Sequence, residues 1–378
     1  MIYLDNSATS RFKPQCMFDA MFQQLKTSSN PGRAGHNDSI DIGIKIFETR
    51  AFIKQMLNCN EEFEVIFTPN CTEALNLALR GFLPQRTNGR FDVITTANEH
   101  NSVLRPLYQI QHNSLHTNVI VVKPQFDGVI SPRDIEEKIT PYTKLICVCH
   151  TSNVTGATSD IEAIGAIANK HGVAFLVDCA QSLGHQKIDM SACHIDFLAC
   201  AGHKGLHGCQ GTGFLVFNKK HSLSPIMFGG TGTNSQSLLQ PDIPPECFES
   251  GTLNSAGIIG LGASAKWTME NINQISLNLR YLSGELLYGL KQMRNISLYT
   301  YNNNGVISFN YGKLSSTDLG DFLNERDIAV RCGLHCAPLI HKHLGTFERG
   351  TVRASIGYNN NINDIKALLS AIEELEKQ

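Results

Sequence analysis

One lysine of this 378-residue chain stands where a nucleophilic amine would be expected. Residues 195–200 form an apolar run typical of a buried strand, and Ala201-Gly202 ends it just before His203 and Lys204. An amine at the end of a buried strand loses water, and desolvation lowers the pKa of a lysine and makes it more nucleophilic. A surface lysine in a turn gives the same local pattern, so this segment alone leaves both interpretations open.

A carboxylate ends a second apolar segment. Residues 173–178 have the pattern of a buried strand that finishes at Asp178. Enzymes that use pyridoxal 5'-phosphate (PLP) hold it as a Schiff base on a lysine and pair its ring nitrogen with an aspartate. Asp178 and Lys204 therefore suit one cofactor that lies across the ends of two strands.

Two motifs carry a family resemblance. V-D-x-A-Q at residues 177–181 and G-H-K-x-x-x-G at residues 202–208 resemble the class V aminotransferase superfamily, and further motifs point to its cysteine desulfurase and selenocysteine lyase branch. The resemblance implies an α/β protein of PLP-dependent transferase fold type I. We expect a large domain with a mainly parallel sheet at residues 15–257. A smaller α/β domain, formed by residues 1–14 and 258–378, is expected to carry the catalytic cysteine loop.

Polar residues follow several predicted strands, where open α/β sheets bind their ligands. Cys71 and Thr72 open a predicted helix, whose free N–H groups attract anions, although ordinary N-capping is an alternative. E-H-N-S at residues 99–102 resembles the family segment whose histidine, here His100, stacks on the cofactor ring and moves protons. S-N-x-x-G at residues 152–156 resembles the segment whose asparagine, here Asn153, lies near the ring oxygen and the substrate.

A further motif, F-E-x-G-T-x-N at residues 248–254, resembles the segment whose threonine reaches the cofactor phosphate of the other subunit. It implies a homodimer with active sites at the interface. Ala201 departs from the family, which commonly has serine there, so one phosphate contact is missing. The cofactor-binding set that the resemblance implies is Cys71, Thr72, His100, Asn153, Asp178, Gln181, His203, Lys204 and Thr252.

A cysteine segment close to the C-terminus is the most informative part after the lysine. R-x-G-x-H-C-A at residues 331–337 resembles desulfurases with a short, well-anchored cysteine loop. A thiol beside a histidine and an arginine is a candidate nucleophile. The alternatives are a small buried cysteine or a role for the neighbouring Cys332 instead of Cys336.

The substrate side rests on arginine and on two N-terminal segments. Arg353, in G-T-V-R-A-S, resembles the residue that binds the substrate α-carboxylate, and its planar fork suits a carboxylate bidentately. Y-L-D-N-S-A-T at residues 3–9 and the loop at residues 30–36 are similar to segments near the substrate pocket. The implied substrate-binding set is Ala8, His36, Asn153, Arg331 and Arg353.

The implied function is that of a PLP-dependent cysteine desulfurase, with Lys204, Cys336 and His100 as catalytic residues. L-cysteine would become L-alanine, and the sulfur would stay as a persulfide on Cys336 for an acceptor protein or a reductant. Three alternatives remain open at this point. They are a selenocysteine lyase that acts on L-selenocysteine, another class V aminotransferase or kynureninase-like hydrolase, and a non-catalytic sulfur-relay or metal-binding protein.

The composition narrows the class of partner and compartment. With 32 basic and 34 acidic residues the net charge is −2, which argues against a nucleic-acid partner bound by bulk charge. No apolar run approaches the roughly 20 residues of a membrane helix, and the N-terminus lacks the pattern of a signal peptide. Several of the 12 cysteines lie in apolar strands, as in reduced cytoplasmic proteins, so we expect a cytoplasmic location.

Two further expectations concern local structure. In the predicted strand that ends at Cys149, alternation places Cys147 and Cys149 on one face and His150 on the other, so we expect no zinc site. Residues 258–295 are expected to form two helices that connect the domains.

Overall fold

The computed structural model describes residues 1–31, 35–83, 89–114, 116–302 and 304–377. Residues 32–34 of the loop at 30–36 therefore lie outside the described residues. The strands of the described part are β1 Ile2–Tyr3, β2 Phe63–Thr68, β3 Phe91–Thr96, β4 Thr117–Val122, β5 Thr143–Cys149, β6 Ala174–Asp178, β7 Phe197–Ala201, β8 Gly213–Asn218, β9 Ile296–Leu298, β10 Val306–Tyr311, β11 Ile328–Ala329, β12 Arg331–Gly333 and β13 Thr351–Ser355.

Helices cover both faces of the main sheet and much of the C-terminal part. They are α1 Gln15–Lys26, α2 Asn37–Met56, α3 Cys71–Phe82, α4 Asn101–Asn113, α5 Pro132–Glu136, α6 Ile161–Lys170, α7 Ser255–Gln292, α8 Ser316–Asn324, α9 Pro338–Leu344 and α10 Ile362–Glu376. No helix of this described part is both long and apolar enough to cross a membrane.

The main sheet has seven strands in the order β2-β8-β7-β6-β5-β3-β4. All neighbouring pairs are parallel except those of β8, which runs antiparallel to β2 and β7. The predicted fold class, a mainly parallel sheet beside a smaller α/β part, is confirmed.

Alternation along β6 explains why its apolar run is continuous. Phe175 and Val177 belong to the hydrophobic cluster beneath α2 and α6, whereas Ala174 and Leu176 belong to the cluster beneath α3 and α4. Because side chains alternate across a strand, a sheet covered on both faces needs apolar residues at every position. The strand is therefore buried up to its last residue, Asp178.

The two ends of the chain meet in a smaller α/β part. Its antiparallel sheet has the order β12-β13-β10-β9, and β1 pairs with β11 in parallel. A third hydrophobic cluster contains Leu4 from the N-terminal segment and Ile372 from α10. The domain boundaries at residues 14/15 and 257/258 stay a prediction.

The expectation of two helices within residues 258–295 is wrong. The structure has one helix, α7, of 38 residues. Its first turns pack on the main-sheet cluster through Ile258 and Leu261, and its later turns pack on the third cluster, for example through Leu286. The helix contains no proline, and Asn271 bonds the carbonyl of Trp267 at 2.8 Å, so this polar residue does not end it.

Candidate active site

Eight of the nine predicted cofactor residues line one pocket of about 110 Å³ at the carboxyl ends of the parallel strands. A larger cavity, about 350 Å³, lies at the opposite ends, beside the first residues of β2 and β6. Ligands of open α/β sheets bind at the carboxyl ends, so strand polarity favours the smaller pocket. The eight residues are Cys71, Thr72, His100, Asn153, Asp178, Gln181, His203 and Lys204.

In this pocket Asp178 and Lys204 each shift the pKa of the other. Burial raises the pKa of Asp178, while the N–H of Ala180, 2.9 Å from Oδ1, and the Lys204 amine oppose that rise. Burial lowers the pKa of Lys204, and the Asp178 carboxylate opposes that fall. The lysine therefore holds an amine that loses its proton more easily than a surface lysine does.

The start of α3 forms the second wall. Asn70 is the N-cap, and its Oδ1 accepts the N–H of Glu73 at 2.9 Å. Thr72 is exposed toward the pocket, and the buried Cys71 thiol lies 3.7 Å from Asp178 Oδ1. The two interpretations of this segment, ordinary N-capping and a site for a ligand, therefore both apply, because Asn70 caps the helix while the first turn of α3 borders the pocket.

His100 is a neutral imidazole held in one orientation. It is the N-cap of α4, and its Nδ1 accepts the backbone N–H of Ser102 at 3.1 Å. Burial lowers its pKa to about 4, with a further contribution from Lys204. Because Nδ1 accepts a hydrogen bond, the proton of the neutral ring is assigned to Nε2.

Arg353 lies outside the pocket but contacts its wall. The side chain is 1% exposed, and its Nη1 donates to the carbonyl of Asn153 at 3.0 Å. Its Nη2 forms an ion pair with Asp5 Oδ1 at 2.8 Å. Arg331 faces Arg353 in the register of β12 and β13. The predicted substrate arginines are thus neighbours.

The N-terminal turn closes the same side. Gln181 Nε2 donates to the Ser7 carbonyl at 3.0 Å, and Thr9 Oγ1 lies 3.1 Å from His203 Nδ1. Ala8, between these two contacts, bonds through its N–H to the Asp5 carbonyl at 3.1 Å. The predicted substrate residue Ala8 therefore lies beside the pocket.

The cysteine loop is hydrogen-bonded to two pocket segments. The carbonyl of Cys336 accepts the N–H of Asn101 at 2.7 Å, and the carbonyl of His335 accepts Asn153 Nδ2 at 2.7 Å. Cys336 is exposed. Cys332, in contrast, lies against Gly320 of α8, and burial raises its pKa to about 11.

Comparison with known proteins decides the family. The family model described as aminotransferase class-V matches residues 2–368. The chain belongs to the class V aminotransferase family.

Curated relatives of this class V aminotransferase family member include the probable cysteine desulfurase of Methanothermobacter thermautotrophicus. It is 35% identical over 99% of this chain and 94% of its own. The apo cysteine desulfurase from Thermococcus onnurineus is 33% identical, with a TM-score of 0.92 over 100% of this chain and 94% of that chain. A cysteine desulfurase from Escherichia coli is 27% identical, with a TM-score of 0.89 over 100% and 94%. The predicted family branch and the PLP-dependent transferase fold type I are confirmed.

The pocket of this class V protein is not lined by the predicted cofactor residue Thr252 or by the predicted substrate residues Ala8, His36, Arg331 and Arg353. His36 is exposed and caps α2 through the N–H of Ser39. Thr252 is also exposed and borders a separate cavity of about 160 Å³. Their assignment to cofactor and substrate stays a prediction.

Three residues near the site were missed by sequence reasoning. Asp5 pairs with Arg353, Ser102 orients His100, and buried Glu99 accepts the N–H of Cys149 at 2.8 Å. Glu99 and Ser102 lie in the E-H-N-S motif and Asp5 lies in Y-L-D-N-S-A-T, so these motifs could have identified the three residues. The partners of Asp5 and Glu99, however, come from distant segments.

Proposed function

We propose that this protein is a PLP-dependent cysteine desulfurase that converts L-cysteine to L-alanine and keeps the sulfur as a persulfide on Cys336. One observation carries the proposal. The loop that carries the exposed Cys336 is hydrogen-bonded to Asn101 and Asn153. Asn153 and His100, the neighbour of Asn101, line the pocket that also contains Lys204 and Asp178. A nucleophilic thiol beside a lysine–aspartate pocket is what sulfur removal requires, whereas other class V reactions need no such thiol.

The residues present suit PLP. The start of α3, Thr72 and His203 would hold the phosphate, although Ala201 offers no hydroxyl. Asp178 would pair with the ring nitrogen, and Lys204 would bind the aldehyde. The Oδ1 atom of Asn153 is buried and has no hydrogen-bond partner within the described residues, so this amide has capacity left for a bound molecule. When bound, PLP withdraws electrons from the substrate α-carbon.

Proton movement divides between two side chains. A buried lysine with a lowered pKa is available as a base, so Lys204 is the group that takes the α-proton. His100 offers only Nε2, because Nδ1 is engaged with Ser102. In its neutral form Nε2 carries a proton, so His100 acts first as a donor.

Residues of the smaller α/β part would bind the substrate and remove its sulfur. Arg353 would hold the substrate carboxylate, and its Nε has no partner in the part of the chain that is described. The Cys336 thiolate would attack the substrate sulfur and form an S–S bond, while the carbon–sulfur bond breaks and its electron pair stays on the β-carbon, which takes up a proton to give alanine. Because Cys336 is exposed, an acceptor protein or a small reductant can reach that persulfide.

The proposal includes a homodimer. Ile40, Ile44 and Phe47 form a stripe on α2, and their exposed fractions are 51%, 49% and 68%. An exposed apolar stripe is stabilised when another surface covers it, and a second copy also allows Thr252 to reach a neighbouring pocket. Buried free thiols such as Cys147 and Cys200 are typical of a reducing compartment, which supports the cytoplasm as the proposed location.

A visible spectrum with product analysis tests the function. We expect the purified protein with PLP to show an absorption band that changes on addition of L-cysteine, together with release of alanine and sulfide. Lys204→Ala should lose the borohydride-reducible link to PLP and the turnover, because Lys204 is the amine that lines the pocket.

The outcomes separate the alternatives. Alanine release from L-selenocysteine at a much higher rate than from L-cysteine would indicate a selenocysteine lyase instead. A wild-type protein that binds PLP but releases no alanine from either amino acid would contradict the proposal.

A further inference from the structure

The backbone at the proposed nucleophile has an unusual conformation. His335 and Cys336 both have positive φ angles, 48° and 56°. Residues other than glycine seldom adopt this left-handed region, and two in succession must be held by their surroundings.

Backbone contacts hold one side of this turn. The N–H of Asn101 is one of the free donors in the first turn of α4, and it binds the Cys336 carbonyl at 2.7 Å. Asn153 binds the His335 carbonyl at 2.7 Å, and the Ala337 N–H closes the turn on the Leu334 carbonyl at 2.9 Å. These bonds fix the two carbonyl groups on the α4 side, and the chain before the turn is paired with β13 up to Gly333 and Thr351.

The His335 side chain adds a link from the turn itself to β13. It is 3% exposed, and its Nε2 lies 3.1 Å from the carbonyl oxygen and 3.2 Å from Oγ1 of Thr351. A carbonyl oxygen only accepts, so the proton is assigned to Nε2. Burial, with a contribution from Arg353, lowers the pKa of His335 to about 2, and its Nδ1 is buried without a partner in the described ranges.

Thr351 connects this link to the substrate side. It lies two residues before Arg353 on β13, so the two side chains are on the same face of the strand. Through Thr351, the turn of Cys336 is fixed relative to the guanidinium that would bind the substrate.

We propose that His335 is a positioning residue, whose Nε2–H bond to Thr351 holds the left-handed turn of Cys336 in register with Arg353. It exchanges no proton with Cys336 or with the substrate. This inference rests on the proposed desulfurase function and assigns a role to a neighbour of the nucleophile.

The test compares His335→Ala with His335→Gln, whose amide N–H can replace the Nε2 donor. His343→Ala, which removes an exposed histidine of α9, is the matched control. In His335→Ala we expect hydrogen exchange at the amides of Asn101 and Ala337 to be about tenfold faster, because one anchoring bond of the turn is lost. His335→Gln and His343→Ala should exchange as the wild type does.

Kinetics separate positioning from proton transfer. Persulfide formation should fall about tenfold in His335→Ala with an unchanged KM for L-cysteine and unchanged PLP affinity. His335→Gln should restore the rate, and all variants should keep the pH profile.

Three results would overturn the inference. They are wild-type exchange in His335→Ala, no recovery in His335→Gln, and loss of one limb of the pH profile in His335→Gln. Should His335→Ala not fold, the exchange rates and pH profile of His335→Gln still decide. If the wild type releases no alanine, the desulfurase function fails, but the exchange rates still report on the turn.

Discussion

Cys332 and Cys336 differ in environment although only four positions separate them. Cys336 is exposed on its turn, whereas Cys332 lies in β12 against Gly320 with its pKa raised to about 11. A thiol with so high a pKa is rarely ionised at neutral pH and is a poor nucleophile. The reacting thiol should therefore be Cys336.

We predict that Cys336→Ala still binds PLP but loses sulfide release, because no thiolate takes the sulfur. Cys332→Ala should keep most of the activity and lose about 1 kcal/mol of stability, because it removes a partly buried sulfur from the third cluster. Mass spectrometry of trapped persulfides and sulfide assays check both. Full release by Cys336→Ala with loss in Cys332→Ala would transfer the role to Cys332.

The pocket residues were predictable from the sequence because the family motifs contain them and because they follow buried strands or open a helix. Asp178 and Lys204 stand directly beyond apolar runs, where side chains of parallel strands meet. Asp5 was not predictable in its role, since its partner Arg353 lies 348 residues away. Such a pair depends on the meeting of both chain ends, which no local pattern encodes.

Among the elements, α6 and α7 contain glycines with opposite surroundings. A Cβ on Gly165 of α6 would overlap the carbonyl oxygen of Cys193, whereas a Cβ on Gly284 of α7 would meet nothing within 4 Å. Glycine in a helix interior normally costs stability relative to alanine. The space around the glycine therefore decides whether substitution by alanine raises or lowers the free energy of unfolding.

We predict that Gly165→Ala lowers the free energy of unfolding by roughly 1–3 kcal/mol or more, because a backbone carbonyl cannot move aside easily. Gly284→Ala should raise it by about 0.5–1 kcal/mol. Urea unfolding of both variants measures the difference. Equal effects of the two substitutions would contradict the close approach of α6 to Cys193.

The length of α7 shows that a local sequence pattern does not by itself determine where a helix ends. Asn271 and Asn273 interrupt its apolar positions and favour a break between two helices. The helix continues because it packs on two clusters in succession, one under the main sheet and one in the smaller part. Tertiary packing outweighs the weak propensity of two asparagines.

For the whole molecule, buried and half-buried histidines control the response to acid. Within the residues that the structure describes, seven have a pKa that burial lowers to about 4 or below. They are His100, His150, His185, His203, His207, His335 and His341. The unfolded chain binds these protons near pH 6.5, before the folded chain does, so acid favours unfolding.

We predict that the contribution of these histidines to stability is full above about pH 6.5 and falls steeply as the pH drops from 6.5 to 4. Glu99 acts in the opposite direction. Burial raises its pKa from 4.5 to about 8, so its contribution is complete below about pH 4.5 and is lost as the pH rises from there through 8. Melting temperatures at half-unit steps from pH 4 to 8 check the prediction. A constant melting temperature between pH 6.5 and 4.5 would contradict it.

The pairing of β1 with β11 has a consequence for synthesis on the ribosome. Ile2 pairs with Ile328, so β1 cannot pair with β11 until most of the chain has emerged from the ribosome. At about 5–20 residues per second this takes tens of seconds. During that time the N-terminal turn, which contacts Gln181 and His203 in the finished protein, lacks its anchor in the smaller part. A nascent chain therefore carries an incomplete pocket until translation is nearly finished.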